Sequence, residues 1–155
     1  MADFHIEGVD AIKAKLRKLP ERLGRNAMRR ALRKGANVIR DAARSNAKRF
    51  DDPETRDQIW KNVTTQGGGR KMERQRGGPV MRVGVMGGAK ETKSDKGGKA
   101  APGGDTWHWR LLEFGTSKMR AQPFMRPAAS EKAGAAFDAI LKAMPAELDK
   151  ELRKL

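Results

Sequence analysis

The sequence predicts an α+β fold, in which a small antiparallel sheet of three or four strands is packed by a long basic N-terminal helix and a C-terminal helix, with long Gly-rich loops. Apolar residues recur at three- and four-residue spacing in about 9–49 and about 127–155, as in amphipathic helices. The middle, about 58–126, holds β-branched stretches bounded by glycines. Because no repeat or second set of elements is visible, we expect a single domain spanning 1–155.

Two helices are predicted before residue 50. The first is short, with Val9, Ile12, Leu16 and Leu19 on one face, and Pro20 ends it. The second runs from about Glu21 to about Arg49. Its expected buried side consists of small and aliphatic residues: Leu23, Ala27, Ala31, Val38, Ala42 and, as further candidates, Leu32 and Ile39.

The opposite side of the second predicted helix is almost wholly basic. Residues 11–50 carry a net charge of +12 out of +15 for the whole chain. The residues of this basic face are Arg22, Arg25, Arg29, Arg30, Arg33, Arg40 and Arg44. Few acidic residues stand at helical spacing from them, which favours contact with DNA phosphates or an acidic protein surface over an ordinary solvated face. A membrane is disfavoured, because the apolar side is mostly Ala.

The middle of the chain is predicted to form strands at 59–65 (IWKNVTT) and 80–86 (VMRVGVM) that pair antiparallel. The polar, Gly-rich segments 66–79 and 87–105 are predicted to be long loops. Such loops are either arms that become ordered in an assembly or flexible linkers. Neither has the spacing of a phosphate-binding loop.

The densest apolar cluster of the chain follows these loops. Trp107, Trp109 and Leu111 alternate as in a strand, whereas Leu111, Leu112 and Phe114 suit a helical turn, so both interpretations stay open. Glu113 lies inside the cluster. A structural ion pair is a more natural role for it than catalysis, and the candidate partners are Arg110, Arg120 and Arg126.

The composition of residues 112–128, which read LEFGTSKMRAQPFMRPA, indicates a segment that changes the direction of the chain. Gly115 permits a positive φ, and the Thr116 hydroxyl can close a turn. The two prolines that follow predict an extended strut over Gln122–Arg126 that holds out Phe124 and Met125. Pro127 suits the first turn of the C-terminal helix. We expect Pro145 to interrupt that helix before a last segment that ends at Leu155.

This stretch resembles a motif of the tail-component family of long-tailed phages, whose members act at the neck, where head and tail join. The positions that match the family pattern are Glu113, Phe114, Gly115, Thr116, Gln122, Pro123, Phe124, Arg126 and Pro127. Arg120 departs from it, since Pro is more usual there. The order of elements along the chain is also similar to the layout of that family.

The resemblance implies a virion structural protein that forms a homo-oligomeric ring at the head–tail junction, as a neck, head–tail joining or tail-completion protein. The alternative that it implies is a tail terminator, which caps the tail tube. The implied partners are neighbouring copies, head-completion or connector proteins and tail-terminator proteins, with passing DNA as a non-specific contact. The expected subunit or partner interface consists of Phe114, Gly115, Thr116, Gln122, Pro123, Phe124, Met125, Arg126 and Pro127.

Other function classes find little support in the sequence. There is no Cys, and His5 and His108 are the only imidazoles, so neither a metal site nor a cofactor is expected. No catalytic constellation is visible, and the protein is not expected to be an enzyme. The competing hypothesis is a non-specific nucleic-acid-binding protein of the ribosome-associated type. With no signal sequence or apolar span visible, we expect the protein to stay in the cytoplasm where it is made. The resemblance implies that it is then assembled into the virion.

Overall fold

The computed structural model describes residues 8–51, 54, 57–86 and 101–155. In these residues the chain forms six helices and two strands, in an α+β arrangement dominated by two long helices. Their bounds are α1 Val9–Arg17, α2 Glu21–Ala47, α3 Ile59–Asn62, β1 Val63–Gly67, α4 Gly69–Arg76, β2 Met81–Val85, α5 Trp109–Phe114 and α6 Met125–Leu152.

The two amino-terminal helices follow the sequence prediction closely. Helix α1 ends just before Pro20, and Asp10 lies in its first turn, where a carboxylate favours the helix dipole. Helix α2 begins immediately after Pro20 and buries Ala27 and Ala31, as its spacing predicted. Both predicted helices are therefore confirmed, with α2 ending at Ala47.

Helices α2 and α6 pack against each other along most of their length and form the main contact of the described residues. They run antiparallel, because Arg30 near the start of α2 meets Glu147 near the end of α6, while Asn46 near the end of α2 donates to the Phe124 carbonyl before α6. Their closest approach is at Gly35. A Cβ there would lie 2.5 Å from Ile140 Cγ1 and 2.6 Å from the Ala136 carbonyl oxygen.

The core divides into two clusters at opposite ends of the helix pair. At one end Leu19, Ala27 and Leu148 are buried together. At the other end the sheet, α3 and the start of α6 close over the end of α2. The buried members of this second cluster are Ala43, Ala47, Ile59, Val63, Phe124 and Ala128. Because Ala dominates on α2, much of the core depends on close backbone approach rather than on large side chains.

The sheet consists of β1 and β2, paired antiparallel from Val63 opposite Val85 to Gly67 opposite Met81. The antiparallel pairing of the predicted strands is confirmed, and Val83 and Val85 pack against the second cluster. The predicted third or fourth strand is not found in the described part of the chain, where the sheet has two strands. Helix α5 lies at Trp109–Phe114, where the sequence left strand and helix open.

The prediction of a strand from residue 59 onward was wrong for its first half, since Ile59–Asn62 is a helical turn. Contacts from distant segments impose this turn. The Ile59 N–H donates to Asp51 Oδ1 at 3.0 Å, and the buried Asn62 side chain bonds Gly103 N and Thr106 Oγ1, both at 2.7 Å. The alternation of residue types within a short stretch does not reveal hydrogen-bond partners that lie elsewhere in the chain.

The prediction that residues 66–79 form a polar loop was also wrong, because α4 occupies most of this segment. Its sequence, GRKMERQR, consists largely of good helix formers, and Gly77 ends it in the left-handed conformation. The second predicted loop, 87–105, lies outside the described residues except for 101–105.

Helix α6 departs from the prediction at both Pro145 and its start. Pro145 lies inside a continuous helix, because Ala143, Glu147 and Leu148 are all buried on either side of it and hold the helix in place. The helix begins at Met125, two residues earlier than expected, so Arg126 is helical rather than extended. Pro127 lies in the first turn, as predicted.

We predict that Gly35→Ala lowers the free energy of unfolding by about 1–3 kcal/mol, because the added methyl group overlaps Ile140 and the Ala136 carbonyl. The matched control is Gly134→Ala on α6, which faces open space and should raise the free energy of unfolding by about 0.5–1 kcal/mol. Urea denaturation followed by circular dichroism measures both. Equal effects of the two substitutions would contradict this close helix contact.

Candidate functional site

The phage-like motif is built around one buried carboxylate. Glu113, at the end of α5, is 1% exposed and reaches the start of α6. Its Oε2 accepts hydrogen bonds from the backbone N–H groups of Phe124 at 2.8 Å and Met125 at 2.9 Å, and its Oε1 accepts from Arg126 N at 3.0 Å. The first N–H groups of a helix have no acceptor within the helix, so Glu113 caps α6 from a distant segment.

Arg126 completes the contact with Glu113. Its Nε donates to Glu113 Oε1 at 3.2 Å, and its Nη2 donates to the Glu113 carbonyl at 2.6 Å. The predicted structural ion pair is thereby confirmed, with Arg126 as the partner. Burial on its own raises the pKa of Glu113, but the backbone bonds from Met125, Phe124 and Arg126 and the Arg126 side chain outweigh it, so the pKa lies below its ordinary range.

The loop between α5 and α6 is held by its own hydrogen bonds. Gly115 has a φ of +76°, and a Cβ there would lie 2.8 Å from Ala121 N, so only glycine fits. The Thr116 hydroxyl accepts from Lys118 N at 3.2 Å and Met119 N at 3.0 Å, which forms the turn predicted from the sequence. Gln122 N then donates to the Leu112 carbonyl at 2.7 Å and returns the chain to α5.

The predicted interface residues divide by exposure. Phe114, Thr116, Gln122 and Arg126 are exposed, and the partly buried members are Gly115, Pro123, Met125 and Pro127. Phe124 is fully buried in the core, so the expectation that a strut holds it out was wrong. The reason is that Glu113 starts α6 at Met125 and turns Phe124 inward. The assignment of the whole set to an interface stays a prediction.

An exposed apolar stripe runs along α5 and the turn before it. Trp107, Leu111 and Phe114 recur at helical spacing and are 37%, 38% and 62% exposed. The Arg126 guanidinium carbon lies 5.3 Å from the centre of the Phe114 ring, which fixes the ring from one side. The stripe is therefore attached to the same hydrogen-bonded motif that Glu113 organises.

Intramolecular contacts occupy most of the predicted basic face of α2. Arg29 donates to both carboxylate oxygens of Glu73 on α4, at 3.1 and 2.6 Å. Arg30 donates to Glu147 at 2.6 Å and to Glu151 at 2.5 Å. Arg44 donates to the Val63 carbonyl at 2.9 Å. These three arginines join helices and strands of the same chain, so the face is not uniformly free.

The other four arginines of that face form no ion pair or hydrogen bond with a distant segment in the described part of the chain. Arg25 pairs with Glu21 one turn away at 2.7 Å, and Arg40 pairs with its neighbour Asp41 at 2.7 Å. Arg22 and Arg33 are exposed and pair with no acidic side chain of the described residues. Sequence spacing missed the acidic partners of Arg29 and Arg30 because those partners are far away along the chain.

Glu147 and Glu151 lie buried beneath a shell of cations at the contact between α6 and α2. Glu147 accepts from Arg30, Lys34 at 3.0 Å and Lys150 at 3.2 Å. Hydrogen bonds from Arg30 and then Lys34 lower the pKa of Glu147 to about 2, against the opposing effect of burial. Hydrogen bonds from Lys154 and Arg30 similarly hold the pKa of Glu151 below its ordinary range.

A basic groove lies between α2 and α4. It has a volume of about 410 Å³ and is lined by Arg25, Arg29, Arg70, Glu73, Arg74 and Gly77. A neighbouring depression of about 450 Å³ adds Glu21, Arg22 and Asn26. Arg70 and Arg74 were missed at the sequence level, because their segment was interpreted as a loop. Helical spacing in RKMERQR is the signal that could have predicted α4, although not its position beside α2.

Within the described ranges, no cluster of three or more His, Asp or Glu side chains could hold a metal ion. In the same part of the chain, no helix is both long enough and apolar enough to cross a membrane.

Comparison with protein families gives a match to the family described as "Bacteriophage HK97-gp10, putative tail-component", over residues 10–115. This chain belongs to that HK97-gp10-like family. The match covers more than half of the chain and runs from the second residue of α1 to the end of α5. It is a family of structural tail components, in agreement with the resemblance found in the motif. Neither a curated protein nor a solved structure matches the chain.

Membership of the HK97-gp10-like family rests on a part of the chain that ends at Gly115. Glu113 lies inside the match, whereas the N–H groups that it caps at Phe124, Met125 and Arg126 lie beyond it. The contact therefore ties the matched region of this HK97-gp10-like chain to α6.

We predict that Glu113→Gln lowers the free energy of unfolding by about 2 kcal/mol, because an amide has one acceptor oxygen and turns N–H donors toward the start of α6. Glu131→Gln, which changes an exposed carboxylate on α6, is the control and should change the free energy of unfolding by less than about 0.5 kcal/mol. Chemical denaturation measures both variants. A Glu113→Gln protein as stable as the Glu131→Gln control would refute the capping role.

We predict that the stabilising effect of Glu147 disappears in acid. Its folded pKa of about 2 lies below the ordinary 4.5, so its contribution is complete above about pH 4.5 and decreases as the pH falls toward 2. Glu147→Gln should therefore be less stable than the unmodified protein by about 2 kcal/mol at pH 7, and the difference should shrink between pH 4.5 and 2.5. Denaturation at several pH values tests this. A difference that stays constant across that range would rule out the ion-pair explanation.

Proposed function

We propose that this protein is a virion structural protein of a long-tailed phage that forms a homo-oligomeric ring at the head–tail junction, as a neck, head–tail joining or tail-completion protein. Family membership supports the coarser part of the proposal, a phage tail component. The narrower part rests on the exposed stripe of Trp107, Leu111 and Phe114 and on the motif that holds it.

Phe114 is the observation that carries the proposal. A phenyl ring that is 62% exposed is costly to leave in water, and aromatic side chains are enriched at the centres of protein interfaces. Phe114 is also preorganised, since Glu113 is fixed to the start of α6 and Arg126 lies against the ring. A rigid aromatic side chain loses little entropy on binding, which suits a contact between subunits.

A ring requires one surface of each subunit to fit a different surface of the next, repeated until it closes. We propose that the motif supplies one of these surfaces, with Phe114 as its anchor and Thr116, Gln122 and Arg126 as its exposed polar rim. Phe124 contributes indirectly, because it anchors the motif in the core. Head-completion, connector and tail-terminator proteins are the proposed neighbours of the ring.

A second candidate function within the same family is a tail terminator, which caps the tail tube and stops its growth. Both roles use a ring, and the same apolar stripe would serve either. The two differ in what accumulates when the protein is missing, so one experiment distinguishes them.

The experiment places a stop codon in this reading frame, in the phage or prophage that carries it, and examines the induced particles by negative-stain electron microscopy. Full heads and separate tails of normal length are expected for a joining role. Aberrantly long tails would identify a terminator instead. Normal infectious virions would overturn both.

We predict that Phe114→Ala weakens self-association at least about tenfold, because it removes the aromatic anchor of the proposed contact. Phe137→Ala, which truncates a 47% exposed ring on α6 away from the motif, is the matched control and should leave self-association unchanged. Sedimentation velocity over a concentration series measures this. In the phage with the stop codon, a plasmid copy of the Phe137→Ala protein should restore infectious particles and the Phe114→Ala protein should not; the reverse result would refute the interface.

A further inference from the structure

We propose that the groove between α2 and α4 binds the phosphate backbone of double-stranded DNA without reading its sequence. The groove joins arginines from two segments that are separate in the sequence: Arg25 and Arg29 from α2, and Arg70 and Arg74 from α4. This surface differs from the basic face predicted along α2 alone, because Arg30 and Arg44 are occupied inside the protein.

The Arg29–Glu73 ion pair that joins α2 to α4 also neutralises the acidic side chain of the groove. Glu73 is the only carboxylate that lines it among the described residues, and both of its oxygens accept from Arg29, at 3.1 and 2.6 Å. That hydrogen-bonded pair lowers the pKa of Glu73, so the residue is ionised and already paired at neutral pH. Glu73 therefore fixes α4 beside α2, while Arg70 and Arg74 keep their donors for a ligand.

Arg25, Arg70 and Arg74 are exposed at the surface of the groove. Arg70 and Arg74 pair with no acidic side chain of the described residues, and Arg25 pairs only with Glu21, whose side chain is 80% exposed. With the neighbouring depression included, Arg22, Arg25, Arg29, Arg70 and Arg74 face Glu21 and Glu73, so the surface has a net charge of +3. Guanidinium groups bind phosphate oxygens through parallel hydrogen bonds.

The composition of the groove favours DNA over an acidic protein. Within the part of the chain that the structure describes, no aromatic or aliphatic side chain lines the groove. Protein–protein interfaces depend on apolar or aromatic anchors at their centre, and among the described residues the large exposed apolar side chains lie on or next to α5 and α6. Surfaces that bind DNA through its backbone are instead strongly positive and polar.

The test uses the purified full-length protein and a fluorescent 30-base-pair duplex of arbitrary sequence, with anisotropy measured over a series of salt concentrations. The groove variant is Arg25→Gln/Arg70→Gln/Arg74→Gln, which leaves the Arg29–Glu73 pair intact. The control variant, Arg110→Gln/Lys132→Gln/Lys142→Gln, removes the same charge from exposed positions on α5 and α6. Circular dichroism checks that both variants keep the helical content of the unmodified protein.

We expect the groove variant to bind the duplex at least tenfold more weakly at about 0.1 M salt. The slope of log K against log salt concentration should become less steep by about 2–3, because each phosphate that the variant no longer neutralises contributes about 0.9. The affinity of the control variant should fall by less than threefold. Equal reductions in the two variants would overturn the proposal, since binding would then follow net charge alone. Failure to bind the duplex, together with groove-dependent binding of a polyglutamate peptide, would overturn it in favour of an acidic protein.

The inference does not depend on the proposed ring. DNA binding is measured on the purified protein in solution, whereas the ring is tested by self-association and by the particles that accumulate in the phage. A protein that joins heads to tails but does not bind DNA would refute only the groove assignment.

Discussion

The organisation of the site depends on one interaction, the contact between the Glu113 carboxylate and the first turn of α6. This contact satisfies N–H groups of Phe124, Met125 and Arg126 that would otherwise lack an acceptor. Because of this contact, α6 begins at Met125 and the Phe124 ring lies in the core, while Phe114 stays exposed. A carboxylate at a helix N-terminus also interacts favourably with the helix dipole. The motif that resembles a phage tail component is, in physical terms, a helix cap with an aromatic ring attached.

The rest of the fold holds that cap in place with few large apolar side chains. The antiparallel contact of α2 and α6 is close because residue 35 is glycine, and buried alanines on both helices permit the same approach. Charged groups complete the packing, since Arg30 reaches Glu147 and Glu151 at the far end of the pair. Removing Arg30 would leave the buried carboxylates of Glu147 and Glu151 with lysine partners alone, so the positive charge of α2 is partly structural. What is left for binding is concentrated on the groove beside α4.

Features that depend on neighbours along the chain could be predicted from the sequence. Pro20 separates α1 from α2 by local sterics, and the turn at Gly115 and Thr116 follows from backbone freedom and a short hydroxyl side chain. Features that depend on distant partners could not. Ile59–Asn62 is helical because its hydrogen-bond partners lie in other segments. The two prolines around Phe124 suggested an extended strut, because local spacing does not show the effect of Glu113 on the start of α6. For the same reason a scan at helical spacing could not find the partners of Arg29 and Arg30.

The most direct test of the capping contact is amide hydrogen exchange of the unmodified protein, followed by nuclear magnetic resonance. We expect the N–H groups of Phe124, Met125 and Arg126 to exchange slowly, because Glu113 accepts from all three. Arg22 is an internal reference, since it lies in the first turn of α2, which has no side-chain cap, and its N–H should exchange rapidly. Exchange at positions 124–126 as fast as at Arg22 would show that the carboxylate does not cap α6, and would contradict the central role of Glu113 in the motif.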